Sequence, residues 1–348
     1  DLRQVSFNQS HDLYPALLDN GRIIFSRWDG AANRDSIALY TSNPDGTDMQ
    51  LLYGADTYTA AGSGVSSLQF LRPQELADGR VLALTAPFSG TSNGGELFVI
   101  DTDAYINIRQ GNAANAGAAG PGQERATNQV VITVPGISPG GRFNSAAPLW
   151  DGTNRAIVSY TICRLRIPPE MDVKLCTDSN LQNPLAVDAE PAYGVWLADL
   201  VSGEIRPIIL PETGNMISEV AIAQIRPRPQ FILDNDAAGQ ADPQLLTEGA
   251  GILHIRSVYD FDGSDGFGYT TLRDPALTTA DERPARFVRI YKAVGIPDDE
   301  TLDFSNSAFG VTTNFGMREI IGYAPVEPDG SVMVKVPADI PLSIDVLD

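Results

Sequence analysis

The chain has 348 residues, of which 43% are hydrophobic, with 32 Gly, 24 Pro and a formal net charge of −20 at pH 7. That apolar content can bury a large core and excludes wholesale disorder, while Gly and Pro interrupt nearly every stretch long enough for several helical turns. The acidic balance argues against a nucleic-acid partner, and the lack of any apolar run of roughly 18 residues argues against membrane insertion.

The sequence opens at Asp1 without a charged-then-apolar leader, as a processed exported protein or a piece of a longer polypeptide would. The first clear pattern is an Asx-Gly turn followed by an apolar strand. Asp19-Asn20-Gly21-Arg22 leads into IIFSRW, Asp78-Gly79-Arg80 into VLALTA, and Asp151-Gly152-Thr153-Asn154-Arg155 into AIVSYTI. Asx-Gly supplies the positive φ of a tight hairpin, and the following residues are β-branched or aromatic. Partner strands follow: SIALYTSN before Pro44-Asp45-Gly46-Thr47, GELFVIDTD at 95–103 and YGVWLADLVSGE at 193–204. Recurrence of this unit predicts the blades of a WD40-like β-propeller, with inserted loops lengthening the repeat. GNAANAGAAGPG at 111–122 is expected to be a flexible surface excursion. Further strands are expected at GILHIRSVYD (251–260) and ARFVRIYKAV (285–294). Beyond these the texture changes, and strands flanking Glu327-Pro328-Asp329-Gly330 predict a hairpin. The resulting expectation is an all-β protein: a β-propeller of six to seven blades, incomplete in this chain, over 1–310, and a C-terminal hairpin or the start of a small β-sandwich over 311–348.

Cys163 and Cys176 flank RLRIPPEMDVKL, a charged, proline-containing loop between strands. A disulfide closing it is the preferred reading, worth about 2 to 3 kcal/mol, with two buried free thiols as the alternative.

The stretch SHDLYPALLDNGRIIFSRWD from Ser10 to Asp29 resembles the propeller repeats of the Tol-system periplasmic superfamily. It is closer still to the middle domain of the hydrazine synthase alpha subunit and its multihaem-cytochrome-like relatives. VSYTICRL at 158–165, RSVYDFDG at 256–263 and the terminal PVEPDGSVMVKVPADIPLSIDVLD carry the same likeness. The resemblance implies a periplasmic or extracellular protein whose propeller accompanies haem-bearing regions and supports electron transfer. The sequence has no Cys-x-x-Cys-His run, so haem c would belong to a partner or a missing segment.

His11, in Ser10-His11-Asp12, is a candidate ligand to a metal or to a partner's haem, against a local structural role. His254 reads as a strand histidine. Gly90-Thr91-Ser92-Asn93-Gly94 matches the Gly-x-Ser-x-Gly string, but a strand follows where the hydrolase elbow needs a helix, so a hairpin loop explains it. Asp260, Asp262 and Asp265 in YDFDGSDGFG are a candidate calcium site, against Asx-turn capping; Asp234, Asn235 and Asp236 are a weaker one. Arg27, Arg164 and Arg256, with Trp28, Trp150 and Trp196, read as packing and pairing groups between blades. The leading expectation is a non-catalytic scaffold or protein-docking module of an exported redox or surface assembly, with other subunits, multihaem cytochromes among them, as partners. The alternatives are an enzyme with a metal-dependent site at the propeller channel and a subunit of an extracellular filament.

Overall fold

A computed structural model describes residues 2–8, 10–28, 37–54, 68–87, 94–115, 117–118, 120–133, 136–170, 172–212, 214–235, 239, 241–259, 271–272, 274, 276–295, 298, 300–301 and 317–348. The chain divides into two units, His11–Ile232 and Leu233–Asp348 together with Asp1–Ser10. Strands dominate both.

The larger unit repeats one design three times: four antiparallel strands in up-and-down order. β1 (His11–Leu17), β2 (Ile23–Trp28), β3 (Ile37–Ser42) and β4 (Gln50–Tyr53) form the first array. The second holds β5 (Leu68–Glu75), β6 (Val81–Pro87) and β7 (Glu96–Ile100). After a small hairpin of β8 (Tyr105–Asn107) and β9 (Gln110–Gly111), β10 (Gln123–Arg125) completes it. One parallel pairing, Ile37 with Gln69, joins these arrays into a single sheet. The third begins with β11 (Arg142–Pro148) and β12 (Arg155–Thr161). An excursion follows, of β13 (Arg164–Arg166), β14 (Val173–Leu175), α1 (Asp178–Leu181) and β15 (Val187–Asp188). The third array then closes with β16 (Gly194–Asp199) and β17 (Ile205–Ile209).

The three Asx-Gly motifs each join the first two strands of an array. In the first, Leu18 N–H donates to the Arg22 carbonyl and Gly21 N–H to the Leu18 carbonyl; Leu76, Gly79 and Arg80 repeat the pattern in the second. This is a type I turn closed by a residue in the left-handed region, where Gly21 and Gly79 have φ of 83° and 88°. The predicted strands after each turn are β2, β6 and β12, and their partners are β3, β7 and β16.

Alternation along β6 explains how the arrays assemble. All seven residues of this strand are buried, because each of its faces meets a neighbour. Val81 and Ala83, with Phe98 and Ile100 of β7, pack against Ile24, Leu39 and Tyr53 of the first array. Leu82 and Leu84, with Leu97 and Val99, pack against Ala156, Val158, Tyr160 and Ala198 of the third. At about 1.5–3 kcal/mol for each large apolar side chain removed from water, these two seams dominate the unit's stability.

Three sequence expectations take a different form. Within 111–122, Gly120 and Gly122 serve close approach: a Cβ on Gly122 would lie 2.7 Å from that of Tyr105, and one on Gly120 would lie 2.2 Å from the Ile108 carbonyl. The segment between the cysteines is a hairpin, β13 with β14, and not a loop. Cys163 and Cys176 are joined across its open end, with Cα atoms 5.5 Å apart.

The third difference concerns the strands read as further blades. In the second unit, α2 (Pro243–Glu248) precedes β18 (Ala250–Ile255), β19 (Phe287–Ala293), β20 (Arg318–Pro325), β21 (Val332–Pro337) and β22 (Leu342–Leu347). β18 pairs with β21, and β19 lies between β20 and β22, so residues 250–255 and 287–293 belong with the C-terminal strands on the far side of residue 311. Val288, Ile290, Ala324, Val332 and Val336 form the core between these two sheets, with Leu253, Ile255 and Leu342 packed against it. Burial drives this pairing, because β18 and β19 each bring apolar residues to one face that β20 to β22 alone could not cover.

The disulfide closes a short loop, for which chain entropy predicts a contribution of about 3 kcal/mol. Replacing both cysteines with Ala is expected to lower unfolding stability by about 2–3 kcal/mol in denaturant titrations. No measurable loss would show that the hairpin holds itself.

Candidate functional site

Between Ile209 and the second unit the chain crosses the first strands of all three arrays without helix or strand of its own. The crossing segment, residues 217–232, meets each array through polar groups. At the third array Ser159 Oγ donates to the Ile217 carbonyl (2.6 Å), and Asn144 Nδ2 and Ser145 Oγ donate to the Ser218 carbonyl (2.8 and 2.9 Å). Val220 N–H returns a bond to Ser145 Oγ (3.1 Å). The Gln224 amide acts as a peptide group would: its Nε2 donates to the Pro148 carbonyl (2.7 Å) and its Oε1 accepts from Trp150 N–H (2.8 Å). At the first array Gln230 N–H donates to the Asp19 carbonyl (2.8 Å). The crossing runs so close there that a Cβ on Gly21 would lie 2.2 Å from the Gln230 carbonyl.

Two arginines tie these pieces together in matching ways. Arg72 of the second array lies over the Tyr14 ring of the first, 4.5 Å from its centroid, and pairs with Glu219 of the crossing segment at 2.5 Å. Arg226 of the crossing segment lies 4.2 Å over the Trp150 ring of the third array and pairs with Glu75 of the second at 2.5 Å. Local backbone makes this reach possible. The register of the first strand of each array slips at a bulge, around Tyr14, Arg72 and Asn144 respectively, and a bulge re-aims the side chain it carries. Tyr14 and Arg72, each followed by Pro, adopt left-handed φ of 53° and 54°, an uncommon conformation for residues with a side chain. Burial pushes the Glu75 carboxyl above its ordinary value, outweighing the Asp19 N–H and Arg226.

A second polar group lies at the base of the excursion. Arg142, almost wholly buried, pairs with Asp188 at 2.5 Å, and beside them burial pushes the Tyr193 phenol up to about 12. Glu96, also buried, pairs with Arg125, and burial again raises its carboxyl.

In the second unit, the face of the three-stranded sheet turned away from the core carries an arginine–aromatic cluster. Arg289 Nη2 bonds Asp345 at 2.8 Å, the Tyr291 hydroxyl donates to the same carboxylate, and Arg289 and Arg318 lie 5.1 and 5.7 Å from the Tyr291 centroid. Phe287, Ile320 and Tyr323 on this face keep 48%, 49% and 56% of their surface exposed. Aromatic residues beside arginine on an exposed sheet face are the composition of protein contact surfaces.

The residues singled out from sequence are scattered. His11 opens β1 and stacks on its cross-strand partner Trp28, with ring centroids 5.7 Å apart, while Asp12 faces Arg27 at 3.6 Å. His254 lies in β18 opposite Met333. Asp260, Asp262 and Asp265 lie outside the described residues, as do Asp236 and residues 90–93 of the Gly-x-Ser-x-Gly string. Among the described residues no three His, Cys, Asp or Glu side chains gather as metal ligands, and no helix is long and apolar enough to cross a membrane. Trp150 and Trp196 do pack between elements, the first under Arg226 and the second edge-on to Tyr160. Sequence reasoning missed Arg72, Glu75, Glu219 and Arg226. A signal existed in the parallel strings Leu13-Tyr14-Pro15 and Leu71-Arg72-Pro73, each five residues before an Asx-Gly pair.

Comparison with known proteins agrees with this architecture. The family described as the hydrazine synthase alpha subunit middle domain matches residues 286–348. Among solved structures, Kuenenia stuttgartiensis hydrazine synthase superposes with a TM-score of 0.53 at 18% identity, over 99% of this chain and 41% of that one, so the two share a fold and this chain spans less than half the other's length. No curated protein matches.

Since Glu75 titrates above its ordinary range in the folded chain, the stability tied to its protonated form is present in acid and lost as pH rises through the folded value. Glu75→Gln is therefore expected to gain stability relative to the parent as pH climbs from about 4 to 7. Urea titrations across that range check it, and a difference that shrinks with pH contradicts the assignment.

Proposed function

We propose that this chain is a β-propeller scaffold and protein-docking module, without catalysis of its own, within an exported assembly of several subunits that carries haem. The observation that carries the reading is the likeness to hydrazine synthase in both the C-terminal segment and the fold. Supporting it, the three arrays of the larger unit stack face to face as neighbouring propeller blades do, each a four-stranded antiparallel meander with its first strand on the same side. The matched segment 286–348 contains the exposed arginine–aromatic face, which suits contact with another subunit. Fold likeness alone licenses no activity, and the synthase's chemistry is not carried over to these residues.

In this reading the haem c belongs to a partner, a multihaem cytochrome for example, or to a segment beyond this sequence, since both cysteines are spent on the disulfide. His11, which opens the first array, is in this reading the candidate ligand to such a group. Calcium is proposed at Asp260, Asp262 and Asp265, whose close spacing along the sequence suits a hard cation. The disulfide supports a periplasmic or extracellular setting.

Isolation of the tagged protein from its native source tests the assembly. The expected result is stoichiometric recovery with other subunits and the absorbance of haem c; a lone monomer without haem contradicts it. For the cation, calcium at about 100 times its dissociation constant is expected to add about 2.7 kcal/mol of stability. That gain should vanish in Asp260→Asn/Asp262→Asn, and a gain unchanged by those substitutions removes the site.

A further inference from the structure

The crossing segment contributes contacts but no core. No residue from Met216 to Ile232 is buried, and none belongs to either apolar cluster of the larger unit. Ile225 and Phe231 keep 95% and 79% of their surface exposed. The groups that hold it are of two kinds. Ser159, Asn144, Ser145 and the Tyr193 and Asp19 carbonyls read only its main chain. Three side chains are read specifically: Glu219 by Arg72, Gln224 by the Pro148 carbonyl and Trp150 N–H, and Arg226 by the Trp150 ring and the Glu75 carboxylate. Main-chain bonds that give affinity, with a few side-chain sites that give selectivity, are the way proteins bind extended peptides. Pro227 and Pro229 around Arg228 suit such a conformation, since proline cannot join a sheet ladder and favours an extended chain.

We infer that the first strands of the three arrays form a groove for an extended peptide carrying Glu, then Gln five residues on and Arg two residues after that, and that residues 217–232 occupy it as a built-in ligand. The arrays close on one another through apolar seams that do not involve the segment, so the groove persists when the segment leaves. A tethered ligand sits at an effective concentration of order mM, so a free peptide competes only once the tethered one is weakened. A partner subunit presenting the same pattern would take the groove in the same way. Occupancy of the groove does not depend on whether the chain belongs to a haem-bearing assembly, and either can fail alone.

The test uses the full chain and a fluorescent synthetic peptide of residues 215–232, with binding read by anisotropy. Gln224→Ala/Arg226→Ala in the chain is expected to bind the peptide at least tenfold more tightly than the unaltered chain. A peptide bearing the same two substitutions is expected to bind that variant at least tenfold more weakly than the unaltered peptide does. Equal binding by variant and parent overturns the inference. So does loss of cooperative thermal unfolding in the variant, because the segment would then be part of the folded core and not a ligand.

Discussion

Burial of the second array on both faces is the constraint from which the larger unit follows. A strand with one wet face alternates apolar and polar residues, whereas Val81 to Pro87 has no polar face to offer beyond Thr85, whose hydroxyl bonds the Glu96 carbonyl. Such a strand is stable only between two other layers. The first and third arrays supply them, and the short Asx-Gly hairpins pair the first two strands of each array, so that repetition of one local unit produces the stack.

The crossing segment obeys the opposite physics. It is held by hydrogen bonds, one arginine stack and two ion pairs at partly solvated positions. Exposed pairs contribute about 0–1 kcal/mol each and neutral hydrogen bonds about 1 kcal/mol. An element bound this way adds specificity and register more than stability, and it can be exchanged at modest cost, whereas removing Leu82 or Val158 would open a cavity in a seam. The raised carboxyl of Glu75 belongs to this picture: a charge is held where burial disfavours it, so the contact between segment and arrays depends on pH.

What the sequence made legible was set by local chemistry. Asp78-Gly79 and Asn20-Gly21 announce their turns because glycine takes the left-handed closing position without steric cost, and β2, β6 and β12 follow as apolar β-formers. Cys163 and Cys176 were legible because thiols so close in sequence have few alternatives. The pairing of β18 with β21 and of β19 with β22 was not legible, since each strand is amphipathic on its own and its partner is fixed by which face needs covering far along the chain. The crossing segment had no signal at all in periodicity, because its residues answer neither the helical nor the strand period. Of the candidate ligands, His11 has the Trp28 ring as its neighbour, a contact that no spacing rule encodes.

Native-state hydrogen exchange resolved by residue tests the central claim most directly. If the doubly buried array holds the unit together, the amides of β6 and β7 exchange only through global unfolding, while those of Val220 and Gln230 exchange through a much smaller local opening. Exchange from β6 at the low energy of the crossing segment, or protection of Val220 equal to that of Leu82, would contradict it.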